Sequence, residues 1–246
     1  MKLSGMVQNL DMRLREAGEN DLSHEQFLTQ MVQDELAQRE NNNLKRRLRV
    51  AQFGVEKTLE GFDFRFNSQA LPAGTIRELA TCRFIELKEN VVIAGPPGIG
   101  KTHIAKAIGH QACRNGFQVL FKKAHPYIEE LVNAKTFFKY EGLFKKGTQA
   151  DLLILDDFGF RKMSIKEAEV FYSLIDERLG SGSTFVTSNR PAADWISIFP
   201  DAVMGGAILD RLVSGARKMM ATTKAKSHRR EGPKEEPQVD KGDKKR

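Results

Sequence analysis

Cysteine is scarce. Cys82 and Cys113 are the only two in 246 residues, and each stands alone, which argues against both a disulfide framework and a cysteine-rich zinc site. Long apolar runs are missing too: no stretch approaches the ~20 residues that a membrane-spanning helix needs. The N-terminus lacks the compact hydrophobic segment of a signal peptide. There is no internal repeat, so solenoid architectures fall away. What remains is a soluble, cytoplasmic protein with enough hydrophobic residues, 40%, for one full domain and a smaller piece.

The formal charge of +7 is divided unevenly. Residues 1–70 carry 10 Lys and Arg against 11 Asp and Glu, whereas residues 71–221 and 222–246 each have a net charge of +4. An excess of this size permits nucleic-acid contact without arguing for it. Local clustering is more informative, because Lys45, Arg46, Arg47 and Arg49 place four cations within five residues. Such a run is either a solvated helix face or a patch that contacts phosphate.

Periodicity divides the chain. Leu3, Val7, Leu10 and Leu14 form one helical stripe ending near Gly18. Ser23 and Gln26 make a capping box ahead of Phe27, Leu28, Met31, Val32 and Leu36, again at helical spacing. Asn41, Asn42 and Asn43 are poor helix formers placed to interrupt that helix. A small helical region is therefore expected over 1–50 and a connector over 51–75, where the alternation Phe62, Phe64, Phe66 suggests a short half-buried strand. Over 76–221, the β-rich runs 91–93, 119–121, 152–155 and 184–187 alternate with helical stretches, which predicts a parallel sheet covered by helices. Ser164 and Glu167 form a second capping box. Ala168, Phe171, Leu174, Ile175 and Leu179 are the expected apolar side of that helix, and Gly180 and Gly182 close it. The tail, 222–246, has one large aliphatic, Val239, and is expected to be disordered.

The decisive segment is Gly95-Pro96-Pro97-Gly98-Ile99-Gly100-Lys101-Thr102, a full GxxxxGK[ST] phosphate loop. Successive backbone N–H groups must wrap a polyphosphate, so glycine supplies the freedom and keeps side chains away. The helix that follows directs its positive end at the same anion. Lys101 places a charge on the β- and γ-phosphates, and the Thr102 hydroxyl ligates Mg²⁺. An acidic partner is needed on a neighbouring strand, and Leu152-Leu153-Ile154-Leu155-Asp156-Asp157 supplies it at the end where α/β sheets bind ligands. Asp156 is the Mg²⁺ partner. Asp157 is the candidate for orienting the attacking water, its alternative being a turn cap. Asn189, ending the run Thr184–Ser188, is placed either to bond the γ-phosphate or water or to make a turn with Arg190 and Pro191. ATP and Mg²⁺ are the expected cofactors.

These residues together resemble the IstB family, ATP-binding helpers of insertion-sequence transposition related to DnaC-type helicase loaders in the AAA+ class. The resemblance runs from about Leu22 to Met220. It comprises Phe62-Asp63-Phe64, GPPGIGKTHIAKAIG at 95–109, LLILDDFG at 152–159 and TSNRP at 187–191. It continues through Trp195, Ile198, Phe199 and Asp201 to Ala207-Ile208-Leu209-Asp210-Arg211-Leu212. The nucleotide motifs are generic to P-loop ATPases, whereas their combination with His103 and the Trp195 and Arg211 segments is specific.

The resemblance implies a P-loop AAA+ sheet with an N-terminal helical region. It implies an ATPase in which Asn189 reads the γ-phosphate and Arg211 acts as an arginine finger on a neighbouring subunit; from the residues alone, Arg211 fits an ordinary surface ion pair equally well. It also implies a homo-oligomer in the bacterial cytoplasm that binds duplex DNA, with Lys45, Arg46, Arg47 and Arg49 as the patch, and presents it to a transposase. The Gly-x-Ser-Tyr-Arg segment usual in the family is not where it would be expected, so Arg229 is given no role. Too little chain follows Arg211 for a C-terminal lid domain. A DnaC-like helicase loader is the near alternative. A small-molecule kinase fits less well, since no basic lid is evident and Asp156-Asp157 suits water activation.

Overall fold

The computed structural model describes residues 3–65, 68, 71–136 and 139–220. The N-terminal region is a helical hairpin of α1 (Ser4–Glu19) and α2 (His24–Ala51). The Ser23–Gln26 capping box is present in both directions. α2 passes through Asn41–Asn43 without a break, contrary to the expected interruption. Each Asn costs only about 0.5 kcal/mol of propensity. The last two turns recover more than that by packing Leu44, Leu48 and Ala51 on the core, at up to ~1.5–3 kcal/mol per fully buried aliphatic.

Five strands form one parallel sheet in the order β2-β3-β4-β1-β5. They are β1 (Val91–Ala94), β2 (Val119–Lys123), β3 (Leu152–Phe158), β4 (Ser183–Ser188) and β5 (Arg217–Met220). The first four coincide with the predicted runs. The edge strand β5 was not expected, because Arg217-Lys218-Met219-Met220 has no β pattern of its own and pairs only by lying against β1.

Strand residues divide between the two faces with period two. Val91, Ile93, Val119, Phe121, Leu152, Ile154 and Phe185 enter one core, with α3 (Ala73–Ala80), α4 (Arg83–Glu86), α5 (Lys101–Arg114) and the end of α2. Val92, Leu120, Leu153, Leu155 and Val186 enter the other, under α6 (Ala124–Thr136), α7 (Tyr140–Gln149), α8 (Ile165–Arg178) and α9 (Ala202–Val213), with Trp195 from the 3₁₀ helix Ala192–Ile198.

Three further expectations are corrected. Among the described residues of the connector there is no strand: Phe62 and Phe64 pack edge-to-face, half-buried, while the Asp63 carboxylate accepts from the Arg65 N–H in a turn. The alternation reported burial on one side, which Phe62 and Phe64 satisfy by packing on the core without strand pairing; Phe66 lies outside the described residues. Leu179 caps α8 rather than joining its apolar side and is exposed. The apolar stripe of α1 faces outward, and that of α2 is divided, with Met31 buried and Phe27 half-buried while the remainder is exposed. Leu3, Val7, Leu10, Leu14, Leu28, Val32 and Leu36 are exposed. The hairpin seam instead places Gly5 against Glu35, whose carboxylate accepts the Gly5 N–H at 2.7 Å, and pairs Arg13 with Asp34 at 2.8 Å. The disorder expected for 222–246 concerns residues outside those described.

Candidate nucleotide site

The strand–loop–helix β1, 95–100, α5 forms the phosphate cradle. Gly98 and Gly100 are left-handed, at φ 85° and 105°. A Cβ on Gly100 would also meet the Phe62 ring at 2.8 Å, so both backbone and space demand glycine. The connector is thereby packed against the loop, and the Thr58 carbonyl lies 2.8 Å from His103 Nε2 on the first turn of α5.

Lys101 Nζ donates to the carbonyls of Gly95 and Pro96 at 2.9 Å and to Asn189 Oδ1 at 2.7 Å. The lysine of the loop and the polar residue after β4 therefore meet directly. The Thr102 hydroxyl donates to the Asp156 carboxylate, at 2.8 Å to Oδ1 and 3.1 Å to Oδ2, across the 54 residues that separate them. Burial raises the Asp156 carboxyl above its ordinary range, opposed by hydrogen bonds from Thr187 and Thr102. A buried anion with a hydroxyl beside it is the hard-oxygen donor set that suits Mg²⁺, an ion usually held by one or two protein oxygens together with substrate phosphates. The loop and this pair thus fit a Mg²⁺-nucleotide, for which Lys101 and the 95–102 backbone would hold phosphate and Thr102 and Asp156 would hold the ion.

Asp157 is left-handed, at φ 56°, and its N–H donates to Thr187 Oγ1 at 3.1 Å. Two other residues emerged only with the fold. The Ser188 hydroxyl donates to the Phe158 carbonyl and accepts the Trp195 indole N–H, tying the exits of β3 and β4 together. Their sequence signal was the hydroxyl pair in Thr187-Ser188-Asn189, which alone does not say what the hydroxyls touch.

Arg211 is not at this site. Its main-chain carbonyl accepts from Asn90, which precedes β1, and Asn90 in turn accepts from the N–H of Thr184 at the start of β4. That is the opposite end of the strands from the phosphate loop. Its guanidinium donates to Asp176 at 2.8 Å and lies over the Tyr172 ring. Within one chain, then, Arg211 makes the surface ion pair. Of the basic cluster, Lys45, Arg46 and Arg49 are exposed, whereas Arg47 Nε donates to the Cys113 carbonyl at 2.8 Å and helps dock α2 on α5.

A parallel sheet in this order, with the phosphate loop after β1 and the acidic pair at the end of β3, defines a P-loop domain of AAA+ type. Solved structures share the fold: the DnaC helicase loader at TM-score 0.56 and 22% identity, covering 72% of this chain and 99% of that one, and AMPPCP-bound DnaA from Aquifex aeolicus at 0.58 and 20%, covering 69% and 51%. Sequence comparison is more specific. The chain is 37% identical over 221 residues to an ATP-binding protein in an insertion sequence of Mycobacterium tuberculosis, covering 89% of this chain and 88% of the other. It is 37% identical over 213 residues to the ATP-binding protein of insertion sequence IS21 from Pseudomonas aeruginosa, covering 87% and 80%. The family model described as IstB-like ATP binding protein matches residues 1–235, and the chain belongs to that family. No helix among the described residues is long and apolar enough to cross a membrane.

Proposed function

We propose that this protein is an ATP-dependent helper of insertion-sequence transposition, which binds and hydrolyses ATP in a homo-oligomer, grips duplex DNA and presents it to a transposase. The observation that carries the ATPase reading is the meeting of Lys101 with Asn189 and of Thr102 with Asp156 at one end of the sheet. In this reading Lys101 holds the β- and γ-phosphates, Asn189 senses the γ-phosphate through its contact with Lys101, and Asp157 orients water for attack. Thr102 and Asp156 would hold Mg²⁺, which would supply charge neutralisation on the phosphates when bound. Arg211, remote from its own phosphate loop, serves the site of a neighbouring subunit, which requires it to leave Asp176.

The transposition reading is supported by the insertion-sequence relatives. The organisation that goes with it is a DNA- or partner-binding region over 1–50, a connector over 51–75, an ATPase domain over 76–221 and a basic tail over 222–246. Lys45, Arg46 and Arg49 contact the DNA backbone from the exposed side of α2, largely without reading bases. The test is filter binding of duplex DNA by the intact protein, with and without ATP. Tight retention only with ATP is expected, and equal retention in both rejects the DNA-capture reading. The DnaC likeness favours one second reading, a helicase loader; co-purification with a replicative helicase rather than a transposase would select it.

A further inference from the structure

The ladder between β3 and β4 is regular from Leu152↔Ser183 to Leu155↔Val186 and resumes at Phe158↔Ser188. Two residues of β3, Asp156 and Asp157, are therefore opposed by one residue of β4, Thr187. This is a β-bulge placed at the acidic pair. In such a bulge the extra residue loses its ladder partner, and a buried N–H without one is costly. Here a side chain takes over: Thr187 Oγ1 accepts the Asp157 N–H at 3.1 Å and donates to Asp156 Oδ1 at 2.6 Å. One fully buried hydroxyl uses its donor on the first aspartate and an acceptor site on the second.

We propose that Thr187 is a positioning residue for the acidic pair: its hydroxyl holds Asp157 in the left-handed conformation and so sets where the Asp157 carboxylate points. Three observations converge on this. Asp157 has φ 56°, an uncommon conformation for a non-glycine residue, which aspartate tolerates better than most but which still needs a hold to be kept in one arrangement. Of the two residues that follow it, Phe158 is pinned by Ser188 through its carbonyl and Gly159 is itself left-handed, at φ 80°. Thr187 itself is fixed from its other side by pairing with Ile93 of β1, the strand that leads into the phosphate loop. The residue that aims the acidic pair is thus registered against the strand that aims the phosphate loop. The consequence for turnover rests on the ATPase reading above; the hold on Asp157 does not.

The experiment uses the full chain with Thr187→Val, which keeps the shape and removes the hydroxyl, and Thr187→Ser, which keeps the hydroxyl. Amide exchange at Asp157, followed in protein stripped of nucleotide, is expected to quicken at least tenfold in the valine variant and to stay near wild type in the serine variant. With Mg²⁺ and ATP, kcat is expected to fall at least tenfold in the valine variant with KM unchanged, and serine should restore it. The double variant Thr187→Val with Asp157→Asn should be no slower than Asp157→Asn alone. Unchanged exchange at Asp157 in the valine variant overturns the proposal, as does a serine variant as impaired as valine or a fully additive double variant. If the wild type hydrolyses no ATP, the ATPase reading fails while the exchange measurement still decides the role of Thr187. Should the valine variant not fold, Thr187→Ala removes the same hydroxyl without adding a methyl and is read in the same way.

Discussion

Lys101 illustrates how one side chain joins the phosphate loop to the residue that follows β4. Its ammonium has three donors and meets two main-chain carbonyls and Asn189, so it is aimed over the loop by geometry rather than by sequence proximity. Lys101→Ala is expected to weaken ATP binding about a hundredfold, the worth of one or two charge-assisted hydrogen bonds, with calorimetry as the check. Asp157→Asn should leave that affinity unaltered and slow phosphate release about a hundredfold or more, the usual scale for losing a group that assists proton transfer. Wild-type turnover in that variant would remove Asp157 from the chemistry. Both residues were legible in the sequence because each motif is contiguous. Thr187 was not, since a threonine in a β-rich run has an ordinary place there, and its contact with the aspartates depends on a bulge in a strand 30 residues earlier.

Close approach governs the elements around the site. On α5, a Cβ at Gly109 would lie 2.6 Å from Phe53 and 2.8 Å from Ile154, so this glycine lets α5 lie flat against β3 and the end of α2. Gly109→Ala is expected to lower stability by ~1–3 kcal/mol through overpacking, measurable by chemical denaturation. Helix α8 depends on charge instead. Its capping-box partner Glu167 accepts from the Ser164 N–H and from both Arg161 terminal nitrogens, and the Arg161 contact above all holds its carboxyl down to about 2. A depressed carboxyl stabilises the fold above its ordinary pKa near 4.5, and that contribution is lost as pH falls from there towards 2. Arg161→Ala should therefore lower Tm at neutral pH, with the gap to wild type narrowing below pH 4.5. Equal gaps at pH 7 and pH 3.5 would contradict this account. The capping box at Ser164 was readable from spacing, but the arginine that completes it comes from the preceding loop and could not be singled out.

Two surfaces of the molecule bear on the proposed assembly and DNA contact. Arg211 is held by Asp176 and Tyr172 at the end of the sheet away from its own phosphate loop, so the finger role proposed above requires a neighbouring subunit. Arg211→Ala should bind ATP normally and hydrolyse it poorly, and mixing it with Lys101→Ala, which keeps Arg211, should restore turnover at mixed interfaces. No recovery on mixing would reject action between subunits. On α2, replacing Lys45, Arg46 and Arg49 by Ala should weaken duplex binding at every sequence alike. The dependence of log affinity on log salt should flatten by roughly 0.9 for each DNA phosphate that is no longer neutralised. Arg47 is the exception in that cluster, because its bond to the Cys113 carbonyl makes it part of the packing.

Contiguous and periodic information was enough for the nucleotide loop, the acidic pair, four of the five strands and both capping boxes. Each of these is encoded within a few residues, where backbone geometry and side-chain chemistry act on near neighbours. The burial of the N-terminal helices was decided otherwise: the α1 stripe and Leu28, Val32 and Leu36 of α2 face outward, while Glu35 and Asp34 bond across the seam, and amphipathic spacing cannot say which face finds a partner. The same holds for β5, whose strand character exists only through its hydrogen bonds to β1, and for Thr187, whose hydroxyl acquires its two partners only once β3 bulges against β4. Long-range pairing energy, which no local window contains, made those choices.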